Sequence, residues 1–237
     1  HLFEAPFYRL AHAEADRLPG VIIDRFGDIA VVQPNAAWAD RLFPEIEAAL
    51  IGVLGVTTVV KNAGGRARAL EGLDAEGAAA PGTLTDPVPV PMNGAVYMAD
   101  LVDGQKTGLI FDQRPNHALA ARLARGGSVL DMFSHVGGFA LAALAGGATE
   151  ALSVDGSAAA LDLAMEGARR TGVAERFATR KGDAFAVMQA LSEEGAFFDT
   201  VICDPPAFAP QKPALEAGLR AYERVARLGA GLGKPGG

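Results

Sequence analysis

The sequence has a single cysteine, Cys203, among its 237 residues. That excludes a disulfide framework and any multi-cysteine zinc site, and it fits a reducing, cytoplasmic compartment. No apolar run reaches the roughly 18 residues that span a membrane, and the start His1-Leu2-Phe3-Glu4 does not read as a signal peptide. Basic charge is not in excess: 28 acidic side chains face 21 basic ones, a formal net charge of −7. Loose, charge-driven binding to nucleic acid is therefore not the expected main activity, although site-specific chemistry on RNA stays open. The dinucleotide fingerprint G-x-G-x-x-G is also absent. His12 and His117 have no metal-like spacing around them, so no metal is expected. What is present is ample core material: 50 % of residues are hydrophobic and 21 % charged, which excludes intrinsic disorder.

The acidity is uneven. Residues 1–103 hold 7 basic against 14 acidic side chains, whereas residues 104–237 hold 14 of each. The style of the sequence changes at the same place, so two domains are expected, 1–103 and 104–237. In the front part, Val21 to Phe26 and Ile29 to Gln33 flank Gly27-Asp28, a two-residue hairpin signal. Trp38, Leu42, Phe43, Ile46, Leu50 and Val53 recur at helical spacing up to Gly55 and predict one amphipathic helix. Thr57 to Lys61 and Ala95 to Val102 read as strands, and Gly64 to Pro91 as a long loop. A small α+β unit results.

The rear part alternates short apolar runs with helical patterns. Strands are expected at 128–133, 151–155, 177–179 and 200–204, with helices from Phe139, after the Ser157 cap, and through Phe185, Met188 and Leu191. Strands separated by helices imply right-handed crossovers and a doubly wound, mostly parallel α/β sheet of Rossmann-like type.

Asp131, Asp155, Asp183 and Asp204 stand at the carboxyl ends of these strands, 24, 28 and 21 residues apart. One such Asp is commonly a turn or cap residue. Four at one βα unit each converge on the crevice where open parallel sheets bind ligands. The turn Phe133-Ser134-His135-Val136-Gly137-Gly138-Phe139 has adjacent glycines, which permit positive φ and close approach of a ligand at a helix N-terminus. Asp155 falls where an acid accepts ribose hydroxyls of an adenosine-bearing cofactor, and Asp183 can accept from the adenine amine. In Asp204-Pro205-Pro206-Ala207-Phe208, two prolines remove two N–H donors, leaving rigid carbonyls and a carboxylate that accept hydrogen bonds. Such a rim suits the N–H edge of a flipped base, with Phe208 available to stack on it. Lys106 and Arg114, in the polar run 104–114, can meet a carboxylate or phosphate or form a solvated linker. Pro115 suits the first turn of the next helix.

Together, Gly104-x-Lys106-Thr107-Gly108, Asp112-Gln113-Arg114, Asp131-x-Phe133-Ser134-x-x-Gly137-Gly138-Phe139, Val154-Asp155, Gly182-Asp183 and Asp204-Pro205-Pro206-x-Phe208 resemble class I S-adenosylmethionine (SAM) methyltransferases. The resemblance is to the large-subunit ribosomal RNA cytosine-5 methyltransferase I family. His12-Ala13-Glu14-Ala15-Asp16-x-Leu18-Pro19-Gly20 and Ile23-Asp24-Arg25-Phe26-Gly27 extend it over nearly the whole chain. It implies that Lys106, Thr107 and Arg114 bound the cofactor pocket, with Asp131 and Asp204 beside it. Phe133, Ser134, Gly137 and Gly138 would line the methionine moiety; Asp155 with Gly156 would bind ribose, and Asp183 with Ala184 adenine. Asp204, Pro205, Pro206 and Phe208 would carry the acceptor base. His135 stands where the family has an aromatic Tyr. The family's N-terminal RNA-binding PUA domain and its catalytic cysteine, on a strand after the fourth crossover, are expected outside these residues, and Cys203 reads as a buried structural thiol. The implied partner is RNA, with no membrane, and the oligomeric state is open, a homodimer included. Little turnover is expected of residues 1–237 alone. Methylation of guanine N7 or an exocyclic amine, or a non-catalytic RNA- or protein-binding module, are the competing readings.

Overall fold

The computed structural model describes residues 3, 5–74, 78–79, 84, 87–102, 108–209 and 212–236. The chain forms two compact units: 1–91 with 99–113, and 92–98 with 114–237. They interleave rather than meeting at one cut, and the boundary expected at Asp103/Gly104 lies outside the described residues.

The first unit contains β1 (Phe7–His12), β2 (Val21–Phe26), β3 (Ile29–Pro34), α1 (Ala37–Arg41), α2 (Phe43–Leu54), β4 (Thr58–Asn62) and the short β5 (Ala78–Ala79). They make one sheet in the order β1-β2-β3-β4-β5, antiparallel except for the β3–β4 pair that α1 and α2 bridge. Gly27, at φ 66°, makes the β2–β3 turn. Val21, Ile23, Ala30, Val32 and Val59 alternate along their strands and meet Leu50 of α2 in one core. The single helix expected from Trp38 to Val53 is two helices. Pro44 has no N–H to offer the Asp40 carbonyl, so the helix stops at Leu42 and restarts at Phe43 with the proline in its first turn. Asp24, fully buried, is held by a two-pronged contact from Arg9: Nε to Oδ1 at 2.6 Å and Nη2 to Oδ2 at 3.0 Å.

The stretch read as a loop up to Pro91 ends in a strand, β6 (Val88–Met92), which forms a two-stranded hairpin with β7 (Ala95–Ala99). The second unit continues with α3 (Arg114–Leu123), β8 (Ser128–Met132), α4 (Gly138–Ala145), β9 (Glu150–Asp155), α5 (Ala158–Thr171), β10 (Phe177–Lys181), α6 (Ala184–Glu193), β11 (Thr200–Cys203) and α7 (Leu215–Gly231). Its sheet runs β10-β9-β8-β11, and every pair is parallel. This is the Rossmann-like, doubly wound domain that the alternating pattern predicts.

All five residues of β8 are buried, as a strand covered on both faces requires. Leu130 and Met132 point into a core with Val187, Met188 and Leu191 of α6 and Val225 of α7. Asp131, of opposite parity, faces α4 and bonds its backbone. From β8 the chain steps to β9 and β10 on one side, then returns to β11 on the other. The switch point lies between β8 and β11, where ligands bind open α/β sheets. No helix among the described residues is long and apolar enough to cross a membrane.

Candidate functional site

The turn leaving β8 is strained. Phe133 (φ 61°) and His135 (φ 50°) occupy the left-handed region, as does Gly137 (φ 77°); only the glycine does so without cost. Hydrogen bonds hold the turn there. Ser134 N donates to Val154 O at 3.0 Å, Gly137 N to Ser134 O at 2.8 Å, and His135 N to Asp155 Oδ2 at 2.8 Å. The turn that leaves β8 is thus tied to the end of β9. Gly137 caps α4 but has no side chain to accept its first amides. Asp131 supplies the acceptor from below, with Oδ2 3.0 Å from Ala140 N. Complete burial pushes the Asp131 carboxyl up to about 7, against the lowering effect of the amides of Ala140 and Phe139. Asp131 is therefore beneath α4 as a helix anchor. Its Oδ1 and the buried Ser134 Oγ have no hydrogen-bond partner among the described residues.

Asp155, the last residue of β9, is half-buried. Each of its oxygens takes one amide: Oδ2 from His135 and Oδ1 from Ser157, both at 2.8 Å. An ionised carboxylate offers about four acceptor positions, so about two stay available. Gly156 is exposed, and a methyl group built on it meets nothing within 4 Å. Asp183 caps α6, Oδ1 accepting from Ala186 N at 3.0 Å, and its side chain is exposed. Ala184 is the first residue of that helix and packs against the core.

On the other side of the switch point, Asp204 follows β11 and is exposed, Pro205 is half-buried and Pro206 exposed. The Phe208 ring packs among three others: Tyr222 at 4.9 Å, Phe185 at 6.0 Å and Phe133 at 6.2 Å between centroids. Phe208 is therefore the anchor of the segment rather than an open stacking face. The Cys203 thiol is pushed up to about 11, first by burial and then by the nearby Asp131, so it is protonated at neutral pH. Its Sγ faces α7, where a methyl group at Gly229 would approach it to 3.1 Å.

The two adjacent glycines have separate duties. Gly137 supplies the left-handed turn, whereas a methyl group on Gly138 would fall 2.7 Å from Nε2 of His117. The buried His117 ring lies 6.0 Å from Tyr97 and 4.5 Å from Phe139, edge-on to the latter. Close approach at Gly138 is thus made by α3. Arg114 begins α3, half-buried, and that burial lowers its pKa. Lys106 and Thr107 lie outside the described residues. A cavity of about 1050 Å³ opens along β11, lined among others by Val201, Cys203, Val225 and Gly229. Its lining includes Asp199, which accepts from Ser128 and Lys234 at 2.8 Å, and none of the strand-end carboxylates.

The sequence reading missed α7 and with it Tyr222 and Arg224. Arg224 lies 4.7 Å over the Phe185 ring, and the Tyr222 hydroxyl meets the backbone of the proline segment. The available signal was Leu215, Leu219, Tyr222 and Val225 at helical spacing.

Known proteins show the family of the chain. Ribosomal RNA large subunit methyltransferase I of Pseudoalteromonas translucida is 35 % identical over 232 residues, and that of Aeromonas hydrophila 36 % over 233. Each match covers 97 % of this chain but 59 % of the relative, so the chain spans about three-fifths of the curated relatives' length. Among solved structures, the SAM-dependent methyltransferase of Agrobacterium tumefaciens superposes with a TM-score of 0.69 at 20 % identity, covering 98 % of this chain and 70 % of its own. A chain assigned as a methyltransferase and complexed with S-adenosylhomocysteine superposes with a TM-score of 0.81 at 24 % identity, covering 98 % and 59 %. Both likenesses concern the fold. The family of S-adenosylmethionine-dependent methyltransferases matches residues 78–237, about two-thirds of the sequence, and the chain belongs to that family.

Proposed function

We propose that this chain carries the cofactor- and base-holding part of an enzyme that methylates a base of RNA, more finely carbon-5 of a cytosine in large-subunit ribosomal RNA. One observation carries the reading. Asp183, Asp155, Ser134 and Asp204 stand at the carboxyl ends of β10, β9, β8 and β11, in the order in which those strands lie side by side. They straddle the switch point.

The residues fit the cofactor. Ser134 Oγ is buried without a hydrogen-bond partner among the described residues, a state that costs free energy until a polar group is supplied. Asp155 keeps acceptor positions beyond its two amides, as two vicinal hydroxyls require. Asp183 commits only Oδ1 as a cap, which leaves Oδ2 for an exocyclic amine. Arg114 would bound the same pocket, with Phe133, Gly137 and Gly156 beside it. When bound, S-adenosylmethionine supplies an electrophilic methyl group on a sulfonium.

The chain's own work is then positioning. Asp204 and the carbonyls of Pro205 and Pro206 accept from the amino edge of a base, and a rim with two N–H groups removed disfavours a carbonyl edge. Attack at cytosine carbon-6 needs a thiolate. The protonated Cys203 does not supply it, in keeping with a nucleophile on another strand.

Calorimetric titration with S-adenosylhomocysteine tests the cofactor step. Binding by the wild type, weakened tenfold or more by Asp155→Asn, is expected, because hydrogen bonds to a charged acceptor contribute about 1.5–3 kcal/mol. No binding, or equal binding by the variant, refutes it. Appearance of 5-methylcytidine in ribosomal RNA treated with the native protein tests the acceptor; 7-methylguanosine instead would overturn the cytosine assignment.

A further inference from the structure

We propose that α7 is the clamp of the acceptor rim and that Tyr222 is its positioning residue, an inference that rests on the function proposed above. Residues 204–207 have no regular secondary structure, and Pro205 and Pro206 have no N–H with which to tie themselves down. Tyr222 compensates. Its hydroxyl oxygen accepts from Phe208 N at 3.2 Å and its O–H faces Pro206 O at 3.5 Å, so one phenol holds both ends of the Pro206–Phe208 tripeptide. Its ring simultaneously packs on Phe208, 4.9 Å between centroids.

A second contact is independent of the first. One turn earlier, Gly218 is buried against Ala209, where an added methyl group would fall 2.6 Å from the Ala209 Cβ and 3.1 Å from its amide nitrogen. One turn after Val225, Gly229 meets Cys203 in the same manner, at 3.1 Å. Gly218, Tyr222, Val225 and Gly229 share one helical face, and that face runs against the chain from Cys203 to Ala209. The helix is itself fixed, by Val225 in the core and by Arg224 on Phe185 and Gln189 of α6. The position of Asp204 and the two proline carbonyls is thereby referred to α7, while Ser134, Asp155 and Asp183, assigned to the cofactor, make none of these contacts.

Tyr222→Phe keeps the ring and removes the hydroxyl. Hydrogen exchange at the Phe208 amide should accelerate about fivefold. With the native protein, KM for RNA should rise by a similar factor while KM for S-adenosylmethionine stays within twofold. Gly218→Ala, which displaces Ala209, should give the same split. Unchanged exchange at Phe208, or KM values that rise together, overturns the clamp. If the wild type transfers no methyl group to RNA, the functional reading falls, and exchange at Phe208 alone then decides the clamp.

Discussion

Asp131 should make the stability of the second unit depend on pH in the unusual direction. Its carboxyl ionises near 3.8 in the unfolded chain and near about 7 in the fold, where burial disfavours the charge. Between those values the Asp131 site of the native state holds more protons than that of the unfolded state, so the stability that Asp131 contributes is greatest below 3.8 and falls as pH rises towards 7. At about 1.4 kcal/mol per pH decade, the full loss is about 4 kcal/mol, of which about 3 kcal/mol falls between pH 5 and pH 8. Asp131→Asn removes this titration. Its carbonyl can keep the Ala140 amide, while its NH2 takes the place of Oδ1, which has no partner among the described residues. An unmatched buried donor costs about 1–3 kcal/mol at every pH. The two stability curves therefore cross, the variant equal to or weaker than the wild type at pH 5 and about 1–3 kcal/mol above it at pH 8. Urea unfolding at constant ionic strength across that range measures both curves. Parallel curves would refute the assignment of a raised carboxyl to Asp131.

Two further substitutions separate packing from charge. Gly138→Ala places a methyl group 2.7 Å from His117 Nε2 and should cost about 1–3 kcal/mol through overpacking; adding His117→Ala should recover part of that loss in a double-mutant cycle by urea unfolding. Arg9→Met leaves the buried Asp24 carboxylate without its two-pronged partner and should cost about 3–5 kcal/mol; a thermal midpoint equal to that of the wild type would show the pair to be dispensable.

What was legible in the sequence was what depends on local pattern. The strands of the second unit are short apolar runs bounded by turns, and the β2–β3 hairpin declares itself through Gly27-Asp28. What was hidden depends on tertiary neighbours. β1 is an edge strand whose pairing slips at a bulge between Arg9 and Ala11, so its residues show no clean alternation. β6 includes Pro89 and Pro91, which read as loop; both are exposed while Val90 and Met92 are buried, and the strand has one partner among the described residues, an edge that tolerates proline. The four acids look alike in sequence because each ends a strand. The pleat separates them: Asp131 lies one residue inside β8 with its side chain under α4, whereas Asp155 closes β9 and Asp204 follows β11.

The turn after β8 shows what the strand-end acids are arranged around. Two non-glycine residues in the left-handed region cost about 1–3 kcal/mol each, and a helix could follow a strand without them. The bonds that hold the strain fall on specific groups. Ser134 N donates to Val154 O and His135 N to Asp155, so two of the amides that fix the turn also fix the end of β9. Asp155 is thereby immobilised, while Ser134 Oγ is buried without a hydrogen-bond partner among the described residues. A turn serving only to connect β8 to α4 would gain by relaxing Phe133 and satisfying that hydroxyl. Retaining both costs is consistent with a site paid for in advance, in which hydroxyl-bearing ligand atoms meet acceptors that need no further reorganisation.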